Sequence, residues 1–174
     1  TPEITALRKN ITNLDSALEV GIGSGRLTKR LDPYFDAYIS IDIVEHTTSV
    51  NPTNFIKASG DTLPFRNNAF SNVIDGWALS AQNVSQTLQE YNRVSENVFI
   101  ITEAWNETNR EDSDYVTLLK KFDPNHNWPN LEKQLYSKIH SQFTTRKIPI
   151  QSAYTFTSVS EAVKAFKYHI EQYN

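Results

Sequence analysis

Ala17-Leu-Glu-Val-Gly-Ile-Gly-Ser-Gly-Arg26 is the stretch on which the reading of this chain turns. A short apolar run ends in glycines at alternate positions, Gly21, Gly23 and Gly25, and one acid, Glu19, stands two places ahead of the first. Glycine lacks a Cβ and tolerates positive φ, so a strand ending in such a loop lets a ligand lie almost against the main chain. The pattern predicts a strand over Ser16–Val20 and a helix over Ser24–Leu31, its free N–H groups facing the loop. This is the signature of a nucleotide-cofactor site.

The spacing narrows the cofactor. A dinucleotide fingerprint, G-x-G-x-x-G/A, needs a small residue where this chain has Arg26, and a phosphate-binding P-loop needs G-K-[ST] where it has Gly25-Arg26-Leu27. Neither a pyrophosphate nor a triphosphate fits. A phosphate-free ligand does, above all a cationic one that tolerates Glu19 nearby.

These residues resemble the first motif, [DE]-x-G-x-G-x-G, of the class I S-adenosylmethionine-dependent methyltransferases. Further landmarks follow in order. Ala37-Tyr-Ile-Ser-Ile-Asp-Ile43 is similar to the second strand with its terminal acid. Ala58-Ser-Gly-Asp-Thr-Leu-Pro-Phe65 and Asn68-Ala-Phe-Ser-Asn-Val-Ile-Asp75 are similar to the "GD-x-LPF … FD-x-V" segment. Gly76-Trp-Ala-Leu79 resembles the turn after strand four, and Gln89-Glu-Tyr-Asn-Arg-Val94 the helix before strand five. The resemblance runs from about Ser16 to Glu103, and it is to the small-molecule, type 11-like branch, since no Asn-Pro-Pro-Tyr or Asp-Pro-Pro-Tyr tetrad follows strand four.

It implies an α/β fold, a Rossmann-like three-layer αβα sandwich with a mostly parallel sheet. Whether the final antiparallel strand is present stays open, because the sequence stops where that strand is expected. The alternation of apolar runs and helical patterns agrees with a wound sheet. Strands are expected near Ser16–Val20, Ala37–Asp42, Asn54–Ala58, Ser71–Asp75 and Asn97–Glu103, with a further one around Thr145–Phe156 that Pro149 confines to an edge or bulge. Helices are expected at Ser24–Leu31, Ser85–Val94, Asp112–Phe122 and Leu131–Ser141. Ser158-Val-Ser-Glu161 reads as a capping box opening a last helix to about Tyr173. No linker or repeat divides residues 1–174, so one domain is expected, with little room before the first strand for N-terminal helices.

Composition excludes several classes. The chain has 174 residues, enough for a substantial core, and its nine Phe and eight Tyr argue against disorder despite a hydrophobic share of 39%. A net charge of −3 offers no global basic field for nucleic acid. With no cysteine, disulfides, thiolate metal sites and Cys nucleophiles drop out together. His46, His140 and His169 have no metal-ligand spacing, so no metal is expected. No apolar run is long enough to span a bilayer, and a cytoplasmic protein is expected. The lack of any Met suggests a start that has been trimmed or processed.

The resemblance implies S-adenosyl-L-methionine as cofactor, with Gly21, Gly23 and Gly25 allowing close approach. Glu19 is expected to orient the methionyl ammonium, and Asp42 to accept both ribose hydroxyls. Ile43 is expected against one adenine face, and Asp61 with the Thr62 main chain at the adenine amino group. Each acid has a plainer alternative as a strand end or turn. The acceptor side is expected to involve Trp77, Gln82, Asn83 and Trp105, and each Trp could equally be core or subunit contact. No catalytic residue is identified; His126, in a polar loop, is the one candidate base, with a solvated loop histidine as the alternative. The expected partner is a small-molecule methyl acceptor, with nucleic acid and membrane not expected and a homo-oligomer or protein partner left open. A non-catalytic S-adenosylmethionine-binding subunit is the competing reading, and a nicotinamide oxidoreductase is disfavoured by Arg26.

Overall fold

A computed structural model of the protein describes residues 1–44, 54–79, 82–102, 131–150, 157–158 and 160–161. Tertiary contacts divide the chain into two compact units, Thr1–Ala104 with Asn130–Ile150, and Trp105–Pro129 with Gln151–Asn174.

The first unit is built on five parallel strands: β1 (Ser16–Val20), β2 (Ala37–Asp42), β3 (Phe55–Lys57), β4 (Phe70–Gly76) and β5 (Ser95–Ile101). Their order is β3-β2-β1-β4-β5, so the winding reverses beside β1. Ligands of open α/β sheets lie at the C-terminal strand ends at that reversal. The helices are α1 (Pro2–Asn10), α2 (Thr28–Leu31, followed by a 3₁₀ turn at Asp32–Tyr34), α3 (Val84–Val94) and α4 (Leu131–Gln142).

Burial follows the strand period. Leu18, Val20, Ile41 and Val73 lie on one sheet face with Leu88, Tyr91 and Val94 of α3 and Leu135 and Ile139 of α4. Ala17, Tyr38 and Ile74 lie on the other with Ile4, Leu7 and Ile11 of the α1 segment and Leu27 and Leu31 of the α2 segment. Each large apolar side chain so buried contributes about 1.5–3 kcal/mol. Asn72, buried in β4, donates from Nδ2 to the carbonyls of Asn13 (2.7 Å) and Ser16 (3.1 Å).

Three expectations need correction. A helix does precede β1: α1 opens with Pro2 in its first turn, carries Glu3 there and Arg8 and Lys9 in its last turn, and buries Ile4 and Leu7. The helix after the glycine loop starts at Thr28, not Ser24, because positive φ at Gly23 and Gly25 breaks helical winding until past the last glycine. Residues 145–150 form no strand: they are exposed, Pro149 lacks an N–H, and Arg146 turns to pair with the Asn10 side chain. The rest of that expected strand, the helix over Asp112–Phe122, and the chain beyond Glu161 lie outside the described residues. In the second unit the Ser158 half of the expected cap is formed, and the return bond from Glu161 goes to Thr157. Ser158 Oγ accepts from the Glu161 N–H at 3.1 Å, while the Glu161 carboxylate accepts from the Thr157 N–H (2.7 Å) and hydroxyl (2.6 Å).

Candidate functional site

The glycine loop leaves β1 and is fastened at once to β2: the Gly21 and Ile22 N–H groups share the Ile41 carbonyl at 2.9 and 3.1 Å. Gly21, Gly23 and Gly25 all have positive φ, at 77°, 49° and 74°. Two of them serve different ends. A Cβ on Gly21 would stand 2.5 Å from that of Ala78, so this glycine lets the β4 exit turn close on the loop. A Cβ on Gly23 would meet nothing within 4 Å, which leaves the backbone there open to a ligand. Gly21→Ala is therefore expected to destabilise the fold by more than the roughly 1–2 kcal/mol of left-handed strain alone; an unchanged urea midpoint would contradict this packing. The four residues of α2 offer no N-terminal anion site, so the loop itself makes the approach.

Glu19 lies beneath the loop and is only 1% exposed. Its Oε2 accepts from three hydroxyls: Thr28 (2.5 Å), Tyr38 (3.0 Å) and Ser40 (3.2 Å). Its Oε1, equally buried, has no hydrogen-bond partner among the described residues. Burial pushes the carboxyl up from 4.5 to about 6 against the pull of those hydroxyls, so it is ionised at neutral pH. A buried carboxylate oxygen with nothing to accept from is costly and calls for a donor or a cation.

Asp42 ends β2, where its Oδ2 accepts from the Gly23 N–H at 3.2 Å and its Oδ1 from the Val44 N–H at 3.1 Å. An acid is thus tied to the open glycine. Ile43 beside it is 63% exposed, an apolar side chain at a strand end. Asp61 and Thr62 form the turn after β3. The Asp61 Oδ1 accepts from Ser59 Oγ (2.6 Å) and Thr62 Oγ1 (3.4 Å), and its carbonyl accepts from Gln86 Nε2 (2.9 Å). Gly60 brings this turn against Val20 and Gln82, since a Cβ there would meet Val20 Cγ1 at 3.1 Å and the Gln82 amide oxygen at 2.2 Å. The ends of β1, β3 and β4 therefore converge.

Trp77 follows β4 at a φ of 67° and is 40% exposed, with the Arg26 guanidinium 4.7 Å from its ring centroid. Arg26 also pairs with Glu3 of α1, so the residue that argued against a dinucleotide ties α1 to the cleft. Gln82 is committed to the protein, donating to the Ala78 carbonyl (3.1 Å) and accepting from Thr87 Oγ1 (3.4 Å). Asn83 is exposed at the start of α3 with its amide 3.4 Å from Gln86 Oε1. Trp105 and His126 lie outside the described residues.

Sequence reasoning missed the hydroxyls around Glu19 and, above all, Asp75. Asp75 is fully buried and raised from 3.8 to about 6 by burial. The one available signal was a charge closing the apolar run Val73-Ile-Asp75.

Reversal of strand order beside a glycine loop, with acids at the ends of β1 and β2, is the arrangement of a Rossmann-like α/β fold. Residues 18–98 match the family model described as "Methyltransferase domain". An uncharacterized Methanocaldococcus jannaschii protein, MJ1252, is 30% identical over 101 residues, covering 56% of this chain and 40% of that protein. The chain thus spans less than half the length of the curated relative it matches. Among solved structures, an S-adenosylmethionine-dependent methyltransferase of Thermotoga maritima aligns with a TM-score of 0.55 at 15% identity, covering 88% of this chain and 83% of its own. The MccD protein aligns with a TM-score of 0.58 at 18% identity, over 81% and 69%. These likenesses show the fold. No described helix is long and apolar enough to cross a membrane.

Proposed function

We propose that this chain binds S-adenosylmethionine across the C-terminal ends of β1 and β2 and moves its methyl group to a small-molecule acceptor. The observation that carries the reading is Glu19: one carboxylate oxygen is saturated by hydroxyls and the other is buried without a partner among the described residues. A site that needs a cation or donor there, and that offers bare backbone at Gly23, suits an aminoacyl adenosine and not a pyrophosphate.

In this reading Glu19 orients the ammonium, and Asp42 accepts the ribose hydroxyls while bonded to Gly23. Ile43 packs on the adenine, and the Asp61–Thr62 turn meets its amino edge. The bound cofactor supplies an electrophilic methyl whose leaving group departs neutral, so the work left to the protein is alignment. Orientation lowers a barrier by about 7–11 kcal/mol, against roughly 10²–10⁴-fold for a general base. Positioning suffices, and the reading assigns no base. Trp77 and Asn83 are the described acceptor-side candidates, since Gln82 is already engaged.

Calorimetry with S-adenosylmethionine, S-adenosylhomocysteine and NADH is the first test; tight NADH binding without either adenosyl compound would overturn the reading. Asp42→Ala is expected to weaken S-adenosylhomocysteine about tenfold or more, since it removes charge-assisted bonds worth roughly 1.5–3 kcal/mol each. Unchanged affinity in a folded variant would remove Asp42 from the site. A panel of acceptors separates methyl transfer, which releases demethylated cofactor, from binding without turnover.

A further inference from the structure

Asp75 stands on the sheet face opposite Glu19, at the end of the neighbouring strand. Its Oδ1 accepts from two successive backbone N–H groups, Ala78 (2.9 Å) and Leu79 (3.2 Å), and its Oδ2 accepts from the Tyr91 hydroxyl at 2.5 Å. These bonds close the turn that contains Trp77. A bulky residue rarely adopts the positive φ that Trp77 has, and it stays there only where its surroundings leave no alternative. On its other side the Trp77 N–H donates to the Ile101 carbonyl at 3.0 Å. The ring so held lies under the Arg26 guanidinium, and Arg26 is anchored to Glu3.

We propose that Asp75 is a positioning residue: with Tyr91 it locks the turn after β4 in its left-handed form and so holds the Trp77 ring at the acceptor side of the cleft. The placement of that ring beside an acceptor rests on the S-adenosylmethionine reading; the lock itself does not. A carboxylate suits the task because it accepts from two N–H groups and a phenol at once, whereas an amide can satisfy the N–H groups but cannot also accept the phenol proton. Burial of this acid raises its affinity for a proton. The groups around it are Tyr91 from α3 and the apolar register neighbours Val20 of β1 and Ile100 of β5. Arg26 and Glu3 act on Trp77, not on Asp75.

The test follows Trp77 alone, in a Trp105→Phe, Trp128→Phe background, by acrylamide quenching without ligand. Below about pH 6 the carboxyl gains its proton and the lock loosens, so quenching is expected to rise on acidification from pH 8 to 5. Asp75→Asn is expected to raise quenching at pH 7.5 about twofold and to flatten the pH profile, and Tyr91→Phe, which loses a single hydroxyl, to do so in part. A flat profile in the parent, or a profile that Tyr91→Phe leaves untouched, overturns the proposal. S-adenosylhomocysteine calorimetry on the same proteins keeps the two readings apart. Failure of the parent to bind sinks the cofactor assignment and leaves the quenching result standing, while retained binding in Asp75→Asn is the expected outcome.

Discussion

Gly23→Val abolishes S-adenosylhomocysteine binding, and the protein still folds: that is the expected result of the most severe change available in the cleft. Nothing in the protein stands within 4 Å of a Cβ at this position, so the folded chain has room for the side chain. The penalty to folding is conformational, since φ is 49° and valine is stiff at χ1; left-handed backbone costs an L-residue about 1–2 kcal/mol. The room the side chain takes is the room a ligand needs to touch bare backbone. The same strain pulls the Gly23 N–H away from Asp42, to which it donates at 3.2 Å. Affinity is expected to fall by at least about a hundredfold, roughly 3 kcal/mol, in calorimetry. A folded variant that binds within a few-fold of the parent would show that the loop does not hold the ligand.

Glu19→Gln is the second large effect, and its pH dependence makes it the sharper one. Binding of an ammonium needs the ionised carboxylate, and burial has already raised this group to about 6. Parental affinity is therefore expected to be flat above pH 7 and to weaken below pH 6, approaching tenfold for each further pH unit. The glutamine variant should bind at least about tenfold more weakly at pH 7.5 and show no such slope. Stability moves the other way. A folded-state pKa above the unfolded 4.5 means the native state holds the proton more tightly, so this contribution is complete below pH 4.5 and is lost as pH rises through about 6. Between those limits the urea stability of Glu19→Gln relative to the parent should improve by up to roughly 2 kcal/mol. An affinity profile shared by both proteins would remove Glu19 from the ligand.

The two effects depend on features of unequal visibility. The glycine loop was legible because its information is local: three residues without a Cβ, in a row of alternate positions, permit a backbone that others resist. The ends of β1 and β2 at Val20 and Asp42 were legible for a similar reason, as apolar runs that stop at turn-forming residues. The Glu19 cage was not, because Thr28, Tyr38 and Ser40 reach it from nine, nineteen and twenty-one positions along the chain. Hydroxyl residues are common, and nothing in their spacing marks convergence on one oxygen. The α1 helix had a usable signal, Thr1-Pro2-Glu3 followed by apolar residues at 4, 7 and 11.

What the sequence determined by itself is the parallel sheet, the bare loop at its centre and the acids that flank it. Those follow from backbone permission and hydrophobic period, which each short segment carries on its own. Only the tertiary structure decided the delayed start of α2, the partnerless oxygen on Glu19, the tethering of Arg26 between Glu3 and Trp77, and the lock that Asp75 and Tyr91 place on the β4 turn. Each of these depends on which polar groups burial forces together, and burial is a property of the packed sheet and helices, not of any stretch of chain read alone.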